Sequence, residues 1–84
     1  MKAEEIKNKA QFLCEVCKDN GVYNYNDLEV HHIVKLRDDP KMLLDNSNLI
    51  VLCTKHHKEA DKGLISEAYL KELVKQREEK ENKS

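Results

Sequence analysis

Apolar residues recur along this chain in short, separated groups, and each group has its own period. Ile6, Ala10 and Leu13 stand at i, i+4 and i+7, the spacing of one helical face, and predict a short helix over 3–13. Leu28-Glu-Val-His-His-Ile-Val34 mixes β-branched with polar residues and reads as a strand. Leu49-Ile-Val-Leu52 is a compact apolar run, short enough for a second strand. Thr54 is placed to N-cap a helix over about 55–62, which Gly63 would end. Ser66 caps a final helix reaching about residue 80, with Tyr69, Leu70, Leu73 and Val74 as its apolar stripe.

The stretches between are polar. Lys18-Asp-Asn-Gly21 is a turn, and Tyr23-Asn-Tyr25-Asn-Asp27 is a loop leading into the first strand. Residues 35–47 form a connection interrupted only by Met42-Leu43-Leu44. From Arg77 to Ser84 every residue is polar, so the last turns are expected to fray. Residues 1–84 thus read as one α+β domain, with a core over about 12–62 and flanking N- and C-terminal helices.

Composition adds a difficulty. With 84 residues, 39% of them hydrophobic, one Phe and no Trp, the core must be thin. A chain this small, with 37% charged residues, needs a staple such as disulfides or a metal. Three cysteines cannot all pair within the chain. No signal peptide is evident, and no apolar run approaches the ~20 residues that span a membrane. A reduced, cytoplasmic protein whose cysteines bind metal fits these features.

Cys14-Glu-Val-Cys17 and Cys53-Thr-Lys-His56 share one spacing, which brings two ligands of each pair to one side of a tight turn. Together they make a Cys3His structural zinc site and use every cysteine. His57 lies equally near Cys53, so the fourth ligand is His56 or His57 on spacing alone.

The ordered set Leu28-Glu-Val-His-His-Ile-Val34, Asn48-Leu-Ile-Val-Leu-Cys53 and Thr54-Lys-His-His57 resembles the HNH endonucleases, a branch of the ββα-metal nucleases. The resemblance covers about residues 12–62 and implies a small, treble-clef-like ββα-metal domain. The family spacing from Asn48 to the last motif histidine selects His57, which leaves His56 for the zinc. By the same resemblance His31 is a ligand of a catalytic metal, His57 the second ligand and His32 the general base. Asn48 would orient that base by hydrogen bonds across the loop. Asp61, one helical turn beyond His57, is a candidate third ligand. One imidazole can hold a metal while its neighbour remains free to take a proton near neutral pH.

The implied reaction is hydrolysis of a DNA phosphodiester, leaving 5′-phosphate and 3′-hydroxyl ends. Many relatives with flanking cysteine pairs carry Asp where this chain has His31. Two imidazoles are a softer set, which favours Mn2+, Ni2+ or Zn2+ over Mg2+.

The charge bears on the partner. Fifteen basic residues are interleaved with sixteen acidic ones, for a net charge of −1, so no long basic face is evident. Zinc on three thiolates and one imidazole contributes about −1, and a second divalent ion about +2. Affinity for double-stranded DNA should therefore be weak, and with little room for base-reading elements beyond the core it should carry little sequence preference. A delivering protein would supply the rest. Stand-alone relatives of this size occur in phages and bacteria, some beside DNA-packaging machinery. Lys35, Arg37 and Lys41 could touch phosphates or simply form a solvated run with Asp38 and Asp39. The rival reading is a non-catalytic zinc module that binds nucleic acid or protein, and an RNase would use the same chemistry.

Overall fold

A computed structural model describes residues 2–35 and 45–82. Helix α1 spans Lys2–Lys9, α2 Glu15–Asp19, strand β1 Leu28–His32, β2 Leu49–Cys53, α3 Thr54–Asp61 and α4 Glu67–Asn82; a 3-10 turn over Asn46–Asn48 leads into β2. The strands pair antiparallel, with Leu28 opposite Cys53, Val30 opposite Val51 and His32 opposite Leu49. With α3 following β2 directly, this is the expected α+β fold of ββα type. Predicted residues 36–44, among them Arg37, Lys41 and Met42-Leu43-Leu44, lie outside the described residues.

A two-stranded ribbon is marginal alone, and β2 is what anchors this one. Successive strand residues face opposite sides. Leu49 and Val51 therefore meet Ile6 and Ala10 near α1, while Ile50 and Leu52 join Val16, Ile33, Leu70, Leu73 and Val74. Burial on both faces explains why β2 reads as an unbroken apolar run rather than an alternating one. Ile6, Ile50, Val51, Leu52 and Val74 are fully buried. At about 25 cal/mol per Å2 of apolar surface, each such side chain contributes about 1.5–3 kcal/mol.

Helix α1 is shorter than its apolar spacing predicts. Gln11 and Phe12 take φ values of 60° and 55°. The Phe12 N–H donates to the Lys7 carbonyl at 2.7 Å and the Gln11 N–H to Asn8 at 2.9 Å, a Schellman closure built without glycine. Leu13 falls beyond it, half-buried. Gly63 behaves as expected: at φ 75° it ends α3, donating to the Ala60 carbonyl at 3.0 Å. Ser66 caps α4, its Oγ accepting from the Tyr69 N–H at 3.1 Å.

Two expectations need correction. The N-cap of α3 is Cys53, not Thr54, because the extended backbone at Cys53 aims its sulfur at the cysteine cluster while Thr54 already belongs to the helix. Arg77 is not part of a fraying tail. It is buried, and α4 continues to Asn82. A guanidinium can be buried when every donor finds a partner, and here Glu15 and two backbone carbonyls accept from it. Among the described residues no helix is long and apolar enough to cross a membrane.

Candidate metal centres

The first centre is the knuckle. Cys14 caps α2, its sulfur accepting from the Cys17 N–H at 3.5 Å, so one turn brings both sulfurs to the same side. The first turn of α3 brings Cys53 and His56 to meet them. Nδ1 of His56 stands 3.5 Å from Cys14 Sγ, 3.4 Å from Cys17 Sγ and 3.3 Å from Cys53 Sγ, while Cys17 and Cys53 sulfurs are 3.9 Å apart. Zn–S and Zn–N bonds of ordinary length give tetrahedral edges of about 3.8 Å between sulfurs and about 3.5 Å between sulfur and nitrogen. These four distances match such edges and all four ligand atoms lie within 4.8 Å of one another, so the set fits a metal such as zinc. His56 turns its other nitrogen towards Glu59, 4.0 Å away.

Burial pushes Cys14 up to about 12. Burial also works to raise Cys53, but the His56 N–H, the neighbouring thiols of Cys14 and Cys17 and the Lys55 N–H outweigh it and bring that thiol down. A coordinated divalent ion would deprotonate the thiols outright. Asn24 braces the knuckle from outside. Its carbonyl accepts from the Cys14 N–H at 2.9 Å, and its amide reaches Cys17 Sγ at 3.8 Å.

The second centre lies where β1 crosses α3. His31 from the strand and His57 and Asp61 from the helix present ligand atoms within 4.8 Å of one another. His31 Nδ1 is 3.6 Å from Asp61 Oδ1, and His57 Nε2 is 3.6 Å from Asp61 Oδ2. The two rings meet edge to face, centroids 5.1 Å apart. The two nitrogens approach different oxygens of one carboxylate, and a ligand atom from each residue lies within 4.8 Å of the others, a grouping that could hold a divalent ion. Burial, followed by the neighbouring His57, holds the His31 imidazole below its usual range. It is thus neutral near pH 7, the form that binds metal.

One member of this centre was absent from the sequence reading. Glu29 Oε2 lies 2.8 Å from His57 Nδ1. That contact fixes the proton on Nδ1 and leaves Nε2, which faces Asp61, free to ligate. The signal was available, since Glu29 precedes His31 by two residues and shares its strand face.

His32 lines the same open cleft of about 470 Å3, with His31, His57, Asp61, Lys35 and Glu67 around it. Neighbouring strand residues normally face opposite ways, but β1 ends at His32 and the chain bends at Ile33 and Val34. Buried Asn48 holds that bend. Its Oδ1 accepts from the Val34 N–H at 2.7 Å, its Nδ2 donates to the Val34 carbonyl at 3.1 Å, and its own carbonyl accepts from the Ile33 N–H at 2.9 Å. The larger cleft between α1, α2 and α4 contains none of these histidines.

The knuckle and the cleft thus sit on adjacent residues of α3, inside one stretch of chain. That stretch is also where a family comparison falls: the model for HNH endonucleases matches residues 14–63, well over half of the chain. No curated protein and no solved structure matches. Members of this family are generally nucleases acting on nucleic acids. By its sequence match and the ββα arrangement that carries it, this chain belongs to the HNH endonuclease family.

Proposed function

We propose that the chain is a metal-dependent endonuclease that hydrolyses phosphodiester bonds in DNA, with a structural zinc in the knuckle. The observation that carries this reading is the convergence of His31, His57 and Asp61 on the cleft that His32 also lines. A purely structural zinc module has no use for a second cluster of metal-binding side chains.

His32 acts as general base. It takes a proton from a water molecule, whose oxygen attacks phosphorus in line as the bond to the 3′-oxygen breaks. The leaving oxygen takes a proton from solvent, giving 5′-phosphate and 3′-hydroxyl ends. Asn48 keeps the bend after His32 fixed through Val34, so the imbalance of a freely moving base is avoided. Glu29 holds His57 in the orientation and tautomer that binding requires. A divalent ion on His31, His57 and Asp61, of the class Mn2+, Ni2+, Zn2+ or Mg2+, supplies Lewis-acid stabilisation of the charge that develops on phosphate oxygens.

The even mixture of charges supports weak, sequence-tolerant binding to double-stranded DNA and delivery by a partner protein, such as one that handles DNA packaging. Three reduced thiols support a cytoplasmic setting.

Nicking of supercoiled plasmid, measured across these ions for wild type and His32→Ala, tests the reading. The expected result is a loss of about 100-fold or more in the variant, the usual contribution of a general base. Equal, slow relaxation by both proteins refutes the nuclease and leaves a zinc-binding interaction module. Cleavage of RNA but not plasmid would move the substrate assignment alone.

A further inference from the structure

Outside the residues matched by the family stands a buried cation with a definite set of partners. Arg77 of α4 is 8% exposed. Its Nη1 donates to Glu15 Oε2 at 2.9 Å and to the Leu49 carbonyl at 3.0 Å, its Nη2 donates to the Asn46 carbonyl at 2.8 Å, and its Nε donates to Glu78 Oε2 at 2.9 Å. Glu15 in turn accepts from the Val51 N–H at 2.8 Å. The two carbonyls belong to residues on either side of Asn48.

Those carbonyls matter because of what Asn48 and Leu49 hold. Asn48 clamps Val34 by both its N–H and its carbonyl, just past the end of β1. Leu49 is the register partner of His32. The planar fork of one guanidinium therefore grips the turn that fixes both the strand position of His32 and the bend that follows it. Burial requires an acceptor for each of these donors, and two of the acceptors are main-chain carbonyls on either side of Asn48 rather than side chains. The guanidinium is thereby tied to the backbone of that turn.

We infer that Arg77 is a positioning residue for the reaction proposed above, acting through the Asn46–Asn48 turn on the end of β1 that carries His32. This rests on the nuclease reading for its function but not for its mechanics. It also makes α4 a working part of the catalytic unit, although the helix lies beyond the family match.

Arg77→Lys tests it. Lysine keeps a positive charge beside Glu15, but its single ammonium cannot reproduce the fork across two carbonyls. Amide exchange is read at Val34, held by Asn48, and at Val22, whose N–H donates to the Cys17 carbonyl in the knuckle. Selective loosening should accelerate Val34 by about tenfold or more and leave Val22 unchanged. The kcat for plasmid nicking should fall by about tenfold with KM for DNA unchanged, as expected for a displaced general base. Adding Arg77→Lys to Asn48→Ala should cost no further kcat, because both act along one path. Glu78→Ala removes only the outer acceptor and should loosen Val34 in the same selective way by a smaller factor. It serves if Arg77→Lys fails to fold.

Unchanged Val34 exchange, equal acceleration of Val34 and Val22, or kcat losses that multiply in the double variant overturn the inference. A wild type that cuts nothing refutes the nuclease reading instead. Selective loosening of Val34 would then still support the mechanical link, and its absence would refute that link too.

Discussion

Glu29 and His57 meet at 2.8 Å across the gap between β1 and α3, carboxylate oxygen to Nδ1. They are twenty-eight residues apart in sequence. The contact sets which nitrogen of His57 faces the cleft, because the ring proton sits on Nδ1, donated to the carboxylate, and the Nε2 lone pair is left on the side of Asp61. Such a carboxylate behind a metal-binding histidine raises its basicity and limits its rotation.

Glu29→Ala should therefore weaken Mn2+ or Ni2+ binding at the cleft by about 10-fold to 100-fold. Glu29 is half exposed, so the unfolding midpoint should hardly change. Titration calorimetry on zinc-loaded protein measures the first and thermal denaturation the second. Unchanged affinity would remove Glu29 from the site.

Metal choice follows from the donors. Two imidazoles and one carboxylate form a softer set than an oxygen-rich one, so nicking with Mn2+ or Ni2+ should exceed nicking with Mg2+ at matched free concentration. His31→Asp should narrow or reverse the difference. Better turnover by wild type with Mg2+ contradicts the assignment of His31 as a ligand.

Cys14→Ser should unfold the chain rather than merely silence it. Cys14 both caps α2 and belongs to the metal cluster, and a structural zinc can supply roughly 10 kcal/mol or more of folding free energy to a small domain. Circular dichroism and zinc content report the outcome together. A variant with full zinc and an unchanged melting curve would show that the knuckle is not a staple.

The Glu15–Arg77 pair predicts a pH signature. Burial raises the Glu15 carboxyl above its usual range, although Arg77 and the Val51 N–H pull it down. A carboxyl raised in the folded state favours folding most fully below its unfolded value, and that contribution is lost as pH rises through the folded value. Removing the cation by Arg77→Leu raises the folded value further. The variant should thus lose about 3–5 kcal/mol near pH 7 and less near pH 5, where Glu15 can take a proton. Urea unfolding at both pH values gives the comparison, and an equal loss at both would mean that Glu15 does not carry the difference.

The motif residues were legible because their meaning is local. Two cysteines two residues apart, or two consecutive histidines, declare a turn or a division of labour without knowledge of the fold. Helix α3 and the ending at Gly63 were legible for the same reason. Glu29 and Arg77 were not, since a polar residue reads as solvated until the fold supplies its partner. Arg77 finds Glu15 sixty-two residues away, and no periodicity records that. The end of α1 was hidden differently. Gln11 and Phe12 adopt a left-handed backbone that usually announces itself with glycine.

His56 and His57 are consecutive on the first turn of α3, and successive helical side chains diverge by about 100°. One ring faces the knuckle and the other the cleft. An ion in the knuckle would fasten the turn from which His57 projects, so occupancy of the cleft should depend on occupancy of the knuckle. A strong chelator would then erase both centres, whereas a weak one would strip only the reactive ion and leave a folded, dormant protein ready for recharging. In a cell, zinc supply would then govern how much of the chain matures.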